Sequence, residues 1–216
     1  MRIDRDSYGT IAKVWLIALI LIVLLLWLVD LKAVSYGISA LLVIFMAFVT
    51  CFHRVPVRKR IDKEGIVTSA ADGKVVIISK VYEKEYLKKE CIQVSVYMDF
   101  FDVHANFWPM TGEISYYRYH PGKYLLAFLP KASELNEHSS TAIKNGDKEI
   151  FFKQIAGTFA RRIVCYSKKG DSVECGRQCG IIKFGSRLDL FLPLDAKIKV
   201  KVGDHTRAAE TIIAEL

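Results

Sequence analysis

The chain has 216 residues, with 31 lysines and arginines against 23 aspartates and glutamates, a formal net charge of +8. That length excludes a multidomain architecture and leaves one compact domain plus something smaller. The basic balance suits an anionic partner, either nucleic acid or the negatively charged face of a membrane, and the five cysteines, odd in number and without framework spacing, read as reduced thiols in a cytosolic domain rather than a disulfide scaffold.

Residues 11–29 are apolar apart from Lys13, and residues 34–52 are interrupted only by Ser, Tyr, Gly and Thr. Each run is about 19 residues, long enough for a helix to cross a hydrocarbon core. The polar patch Asp30-Leu31-Lys32 between them is so short that the two helices must form an antiparallel hairpin. Arg2 and Arg5 precede the first run, and Arg54, Arg58, Lys59 and Arg60 follow the second, so both ends are expected on the cytoplasmic side. Trp15 and Trp27 stand near the two ends of the first run, as interfacial tryptophans do. A cleaved signal peptide fits poorly, because the first run is long and a second follows it. A hairpin dipping into one leaflet is the alternative to a spanning one. The division expected is a membrane hairpin at 1–56 and a catalytic or binding domain at 57–216, with the cell (inner) membrane as the location and that domain facing the cytoplasm. A lipid surface then accounts for the charge, and nucleic acid is not expected.

The remainder reads as mainly β. Residues 65–78 give two β-branched runs about Asp72-Gly73, a hairpin signal. Residues 92–97 alternate as a strand and lead to His104, set between Asp102 and Asn106 ahead of a turn at Pro109 to Gly112. A lone histidine in such a setting is commonly a core residue, yet those neighbours can tune its pKa and orient its ring. Residues 124–129 read as a further strand, residues 131–140 as a polar loop, and residues 154–164 as a short helix running into a strand. Cys175 and Cys179 are four apart with Cys165 nearby but no close fourth ligand, a weak zinc pattern, and no metal is expected. Residues 180–193 read as two strands meeting at a tight turn at Gly185-Ser186. A second reading of that turn is chemical: a strained Gly-Ser can bring the serine Oγ onto the preceding carbonyl, with self-cleavage as the result. Residues 197–214 alternate about a Gly203-Asp204 turn.

Phe184-Gly-Ser-Arg-Leu-Asp-Leu-Phe-Leu-Pro193 closely resembles the maturation site of the short phosphatidylserine decarboxylase proenzymes, a pyruvoyl-dependent family that includes archaetidylserine-decarboxylase-like forms. Phe52-His-Arg-Val-Pro-Val-Arg58 resembles the Phe-x-Arg-x-Pro-x-Arg stretch of the short forms. Ala71-Asp-Gly-Lys74 resembles the Pro-Ala-Asp-Gly motif whose aspartate assists maturation, with Ala70 in place of the proline. Asp102-Val-His104 with Pro109 to Gly112 resembles the Asp-x-His…Pro-x-x-Gly signature, and Asn136-Glu137-His138 resembles an Asn-Glu-Arg loop with histidine for arginine. Phe107 departs from longer members, which carry there a second histidine credited with activating the serine. Cleavage would then rely on His104, on Asp72, or on strain at Gly185. The last segment resembles the hairpin of lipoyl and biotinyl carrier domains without their attachment lysine.

The resemblance implies a barrel-sandwich-like β domain with a few short helices. It implies that Ser186 attacks the Gly185 carbonyl, leaving a β chain of residues 1–185 and an α chain of residues 186–216 that begins with a pyruvoyl group. No external cofactor is needed. That ketone forms a Schiff base with the amine of phosphatidylserine, and CO2 leaves. His104 is expected to return a proton, Asp72 to serve maturation, Arg161 and Arg162 to hold lipid phosphate or carboxylate, and Asn136 and Glu137 to line the substrate site. Phosphatidylethanolamine is the product. Expected partners are the anionic phospholipid, the membrane surface and the two chains of one proenzyme; association with further copies is compatible with the sequence. Two other readings stand beside this one: the same chemistry on archaetidylserine, and a non-enzymatic membrane-anchored lipid-binding β module.

Overall fold

The computed structural model of the chain describes residues 1–123, 135–157, 163–183 and 186–216. The chain divides into two compact units, Met1–Pro56 and Val57–Leu216.

In the first unit, helix α1 (Tyr8–Leu28) and helix α2 (Lys32–Phe52) pack as a hairpin. Both are long and apolar enough to cross a membrane, and most of their large side chains face outward. Side chains tie the hairpin together. Trp15 Nε1 donates to Thr50 Oγ1 at 3.1 Å across the two helices. Lys32 Nζ donates to the carbonyls of Leu26 (3.0 Å) and Val29 (3.2 Å), and Arg54 Nη1 donates to the carbonyl of Cys51 (2.9 Å), so each helix C-terminus is met by a cation. The open end is closed by β1 (Arg2–Ile3) paired with β2 (Arg54–Val55).

Among the described residues, the named elements of the second unit are strands: β3 (Ile66–Thr68), β4 (Gly73–Glu83), β5 (Lys89–Met98), β6 (Ala105–Phe107), β7 (Gly112–His120), β8 (His138–Asn145), β9 (Lys148–Ala156), β10 (Ile163–Cys165), β11 (Ser172–Val173), β12 (Gln178–Ile182), β13 (Ser186–Leu192), β14 (Lys197–Ile198), β15 (His205–Thr206) and β16 (Ile212–Glu215). Eight form a curled antiparallel sheet in the order β11-β7-β8-β9-β13-β5-β4-β15, with bulges in β4 and β7 that promote the curl. Two three-stranded sheets, β10-β12-β6 and β14-β16-β3, complete the domain.

Period-two alternation sorts the two faces of the large sheet. Leu188, Leu190 and Leu192 of β13, Val94, Val96 and Met98 of β5, and Ile150 and Phe152 of β9 all join one buried core. Arg187, Asp189 and Phe191 take the other face, where Arg187 and Asp189 are fully buried and meet through Nε–Oδ1 (2.8 Å) and Nη2–Oδ2 (3.0 Å). The two-pronged contact lets both charges stay out of water.

Three local expectations change. Residues 65–78 are not a hairpin: β3 pairs with β16, while β4 pairs with β5 and β15. The Asp72-Gly73 turn is real, since Gly73 has φ +144° and a Cβ there would lie 2.1 Å from the Tyr97 carbonyl oxygen, but it redirects the chain between sheets. Likewise, β12 and β13 do not fold back on each other across Gly185-Ser186; β12 pairs with β10 and β6, and β13 with β5 and β9. Residues 154–156 end a strand rather than open a helix, because β9 has hydrogen-bonding neighbours on both sides that reward its Ile-Phe-Phe run. The strand expected at 124–129 lies outside the described residues. In the last segment β14 pairs with β16, while the intervening β15 joins β4 of the large sheet.

Candidate active site

Ser186 opens β13 between two register partners, Met98 of β5 and Ala156 of β9. It is fully buried, and alternation sends its side chain to the core face with Leu188. There Ser186 Oγ donates to Met98 Sδ at 3.6 Å. A thioether is among the weakest acceptors in a protein. The hydroxyl is therefore held in place by packing more than by a bond it would lose on reacting.

The same sulfur meets a second polar group, one that the sequence marked only as a neighbour of His104. Asn106 Nδ2 lies 3.6 Å from Met98 Sδ, Asn106 Oδ1 accepts from Gln154 Nε2 (2.8 Å), and Gln154 Oε1 accepts from Ser139 Oγ (2.9 Å). A buried chain of amides thus runs from β8 through β9 and β6 to the serine. Its signal in the sequence was faint: Gln154 is a polar residue on the strand face that Ile150, Phe152 and Ala156 otherwise fill.

His104 is fully buried one residue before β6. Its carbonyl accepts from the Ile182 amide at 3.2 Å, which brings its backbone beside the strand that ends four residues ahead of Ser186. His104 Nδ1 lies 3.1 Å from the Asp102 carbonyl oxygen, so in the neutral ring Nδ1 carries the proton and Nε2 is the basic nitrogen.

Asp72 is committed elsewhere. Its Oδ2 meets Arg58 Nη2 at 2.5 Å, and its Oδ1 accepts from the Ala208 amide at 2.8 Å. The Arg58 guanidinium lies over the Phe107 ring, 5.9 Å from its centroid, so the position that lacks a second histidine carries an arginine-covered aromatic. Burial, then the Asp99 and Asp72 carboxylates, push the Asp102 carboxyl above its usual range against a hydrogen bond from the Asp99 amide; Asp72 thus lies close enough to be felt at the turn that holds His104.

Asn136 and Glu137 act through backbone. Asn136 Nδ2 donates to the Ala156 carbonyl (2.7 Å), the Glu137 carbonyl accepts from the Ala156 amide (2.9 Å), and Glu137 Oε1 accepts from the Ile163 amide (3.2 Å). Together they clamp the residue next to Ser186. Gly185, Arg161 and Arg162 lie outside the described residues. Cys175 Sγ donates to the Ile61 carbonyl at 3.3 Å, and burial raises both the Cys175 and Cys179 thiols, which disfavours the thiolates that zinc requires.

On the opposite face of the sheet, an open cleft of about 660 Å³ is lined by Glu83, Glu85, His120, His138 and Lys153 among others. The ligand atoms of Glu85, His120 and His138 lie within 4.8 Å of one another. The two imidazoles stack at 4.4 Å and 13°, and parallel rings share no plane in which one ion can meet both. Lys153 already meets Glu85 at 2.8 Å. Burial opposes ionisation of Glu85, but Lys153, His120 and Ser140 outweigh it and bring the carboxyl down to about 2. A depressed carboxyl contributes stability that is full above its unfolded value near 4.5 and is lost as pH falls towards 2. Glu85→Gln should therefore cost about 1–2 kcal/mol at neutral pH and nothing near pH 2. Melting of the full-length protein in detergent across that range checks it; a penalty independent of pH would contradict it.

The family profile for phosphatidylserine decarboxylase matches residues 45–214. A phosphatidylserine decarboxylase proenzyme from Amoebophilus asiaticus is 46% identical over 186 residues, 86% of this chain and 83% of that protein. Proenzymes of the same name from Parabacteroides distasonis and Bacteroides thetaiotaomicron are 35% and 36% identical over 100% of this chain, and the alignments take in 99% and 96% of theirs.

Proposed function

The chain belongs to the phosphatidylserine decarboxylase family, and from that premise we propose which of its residues perform the reaction. The activity is the conversion of phosphatidylserine to phosphatidylethanolamine and CO2, on a pyruvoyl group that a proenzyme makes from one of its own serines. Mature protein of this kind holds an α and a β chain, and the two apolar helices associate it with a membrane. We assign the serine as Ser186 and the cleaved bond as Gly185-Ser186, giving chains of residues 1–185 and 186–216. The arginines flanking the helices orient the domain to the cytoplasmic face of the inner membrane.

The observation that carries the assignment is the placement of Ser186: fully buried at the head of the central strand, with its hydroxyl meeting, among the described residues, nothing stronger than the Met98 sulfur. Such a hydroxyl can be consumed without stranding a partner. In the pyruvoyl form, the group supplies a ketone that binds the substrate amine and draws off the electron pair left by CO2. The chain's residues do the rest. His104, with Nδ1 protonated towards Asp102, presents Nε2 to hold and return a proton. Asp72 serves maturation by fixing Arg58 against Phe107 and anchoring the Ala208 amide, both of its oxygens being engaged. Asn136 and Glu137 hold Ala156 in register with Ser186. Arg161 and Arg162 supply charge for the lipid phosphate.

Reductive trapping tests the assignment. Cyanoborohydride added during turnover of phosphatidylserine should attach lipid mass to the chain of residues 186–216 alone. Lipid mass on the longer chain, or on neither, would contradict it.

A further inference from the structure

Five residues, Asp99 to Val103, join Met98 beside Ser186 to His104. They form a tight turn whose polar groups satisfy one another. Asp99 Oδ1 accepts from the amides of Phe101 (2.8 Å) and Asp102 (3.2 Å), and Asp102 Oδ2 accepts from the Asp99 amide (2.9 Å). The residues at its base are buried: Met98 and His104 are 0% exposed and Val103 5%. At its tip the pattern reverses, with Phe100 41% and Phe101 79% exposed. Elsewhere among the described residues of this unit, large apolar side chains left in water, such as Tyr82, Leu194 and Val202, stand singly. Scattered exposed apolar residues are ordinary, but two adjacent phenylalanines on a self-braced turn are not.

Resting on the family reading above, we propose that Phe100 and Phe101 form a bilayer-seating tip. It dips into the boundary between headgroups and acyl chains and sets the Ser186–His104 end of the sheet at headgroup depth. A lipid surface is the occupant the site demands. The substrate carries its reacting serine on a headgroup whose chains stay in the bilayer, so the serine-bearing end of the sheet must meet that surface at a fixed height. The tip is covalently continuous with that end through both Met98 and His104. The two carboxylates that would resist an anionic surface are turned back onto the turn's own amides. Aromatic rings suit this depth, since it combines apolar chains with a polar edge.

The test compares two forms of one headgroup on the full-length, matured protein reconstituted in phosphatidylcholine vesicles. The first is long-chain phosphatidylserine diluted in the vesicle; the second is dihexanoyl phosphatidylserine supplied as a monomer. The Phe100→Ser, Phe101→Ser double variant should lose about tenfold in turnover of dilute bilayer substrate and keep wild-type turnover of the monomer. Equal retention on both substrates would overturn the proposal, and so would equal loss on both, which would mark the tip as structural support for the site. Phe101→Trp supplies a readout free of activity: its emission, taken as the difference from wild type, should be quenched by lipids brominated high on the acyl chain, and no quenching counts against the proposal. Wild-type protein that decarboxylates neither lipid would sink the family assignment instead, while the quenching result would still decide the tip.

Discussion

Ser186→Ala yields a folded, uncleaved chain of 216 residues that releases no CO2 from phosphatidylserine. The fold survives because the hydroxyl contributes so little: one donor at 3.6 Å from a sulfur, on a strand whose backbone is bonded on both sides. The stability change should stay below about 1 kcal/mol. Activity disappears altogether, since alanine offers neither the nucleophile for chain cleavage nor the β-oxygen whose elimination opens the way to the ketone at the α carbon. Denaturing mass, melting temperature and product formation, measured on one preparation, separate these effects. Turnover by the uncleaved variant would refute the pyruvoyl assignment to Ser186, and an unfolded variant would show that the buried serine carries more of the core than its contacts indicate.

His104→Asn cleaves but decarboxylates slowly. Asparagine keeps an N–H donor for the Asp102 carbonyl, where His104 Nδ1 now sits at 3.1 Å, so the turn is preserved while the basic nitrogen is removed. Loss of a positioned proton-transfer group typically costs a factor of about 10²–10⁴, and the loss should appear in kcat with the chains already separated. Normal turnover by the cleaved variant would remove His104 from the mechanism. An uncleaved variant would instead place His104 in maturation as well, the role that Phe107 cannot take.

The elements legible in the sequence were those set by local pattern. Two apolar runs and a three-residue polar break specify the α1–α2 hairpin, and strict alternation marks β5 and β13. Ser186 and His104 stood out through the resemblance of their motifs to the family's; by their own neighbours they read first as a turn serine and a core histidine. What the sequence did not yield were long-range pairings. The Asp72-Gly73 turn is real, yet β3 finds its partner at residues 212–215, far beyond any hairpin, and no turn signal encodes that. The same reason hid the Ser139-Gln154-Asn106 chain, whose members come from three strands in two sheets. Asn136 and Glu137 were legible as a motif, but not as a clamp on Ala156, because a side chain bonding to backbone twenty residues away leaves no periodic trace.

The central claim, that the chain cuts itself at Gly185-Ser186 to make its own catalytic group, is met most directly by the intact mass of the purified wild-type protein under denaturing conditions. The account predicts two chains, residues 1–185 and residues 186–216, the shorter with a blocked, ketone-bearing N-terminus that reacts with a hydrazine. A single full-length chain, from folded protein given time to mature, would contradict it and return Gly185-Ser186 to a plain connection between two sheets.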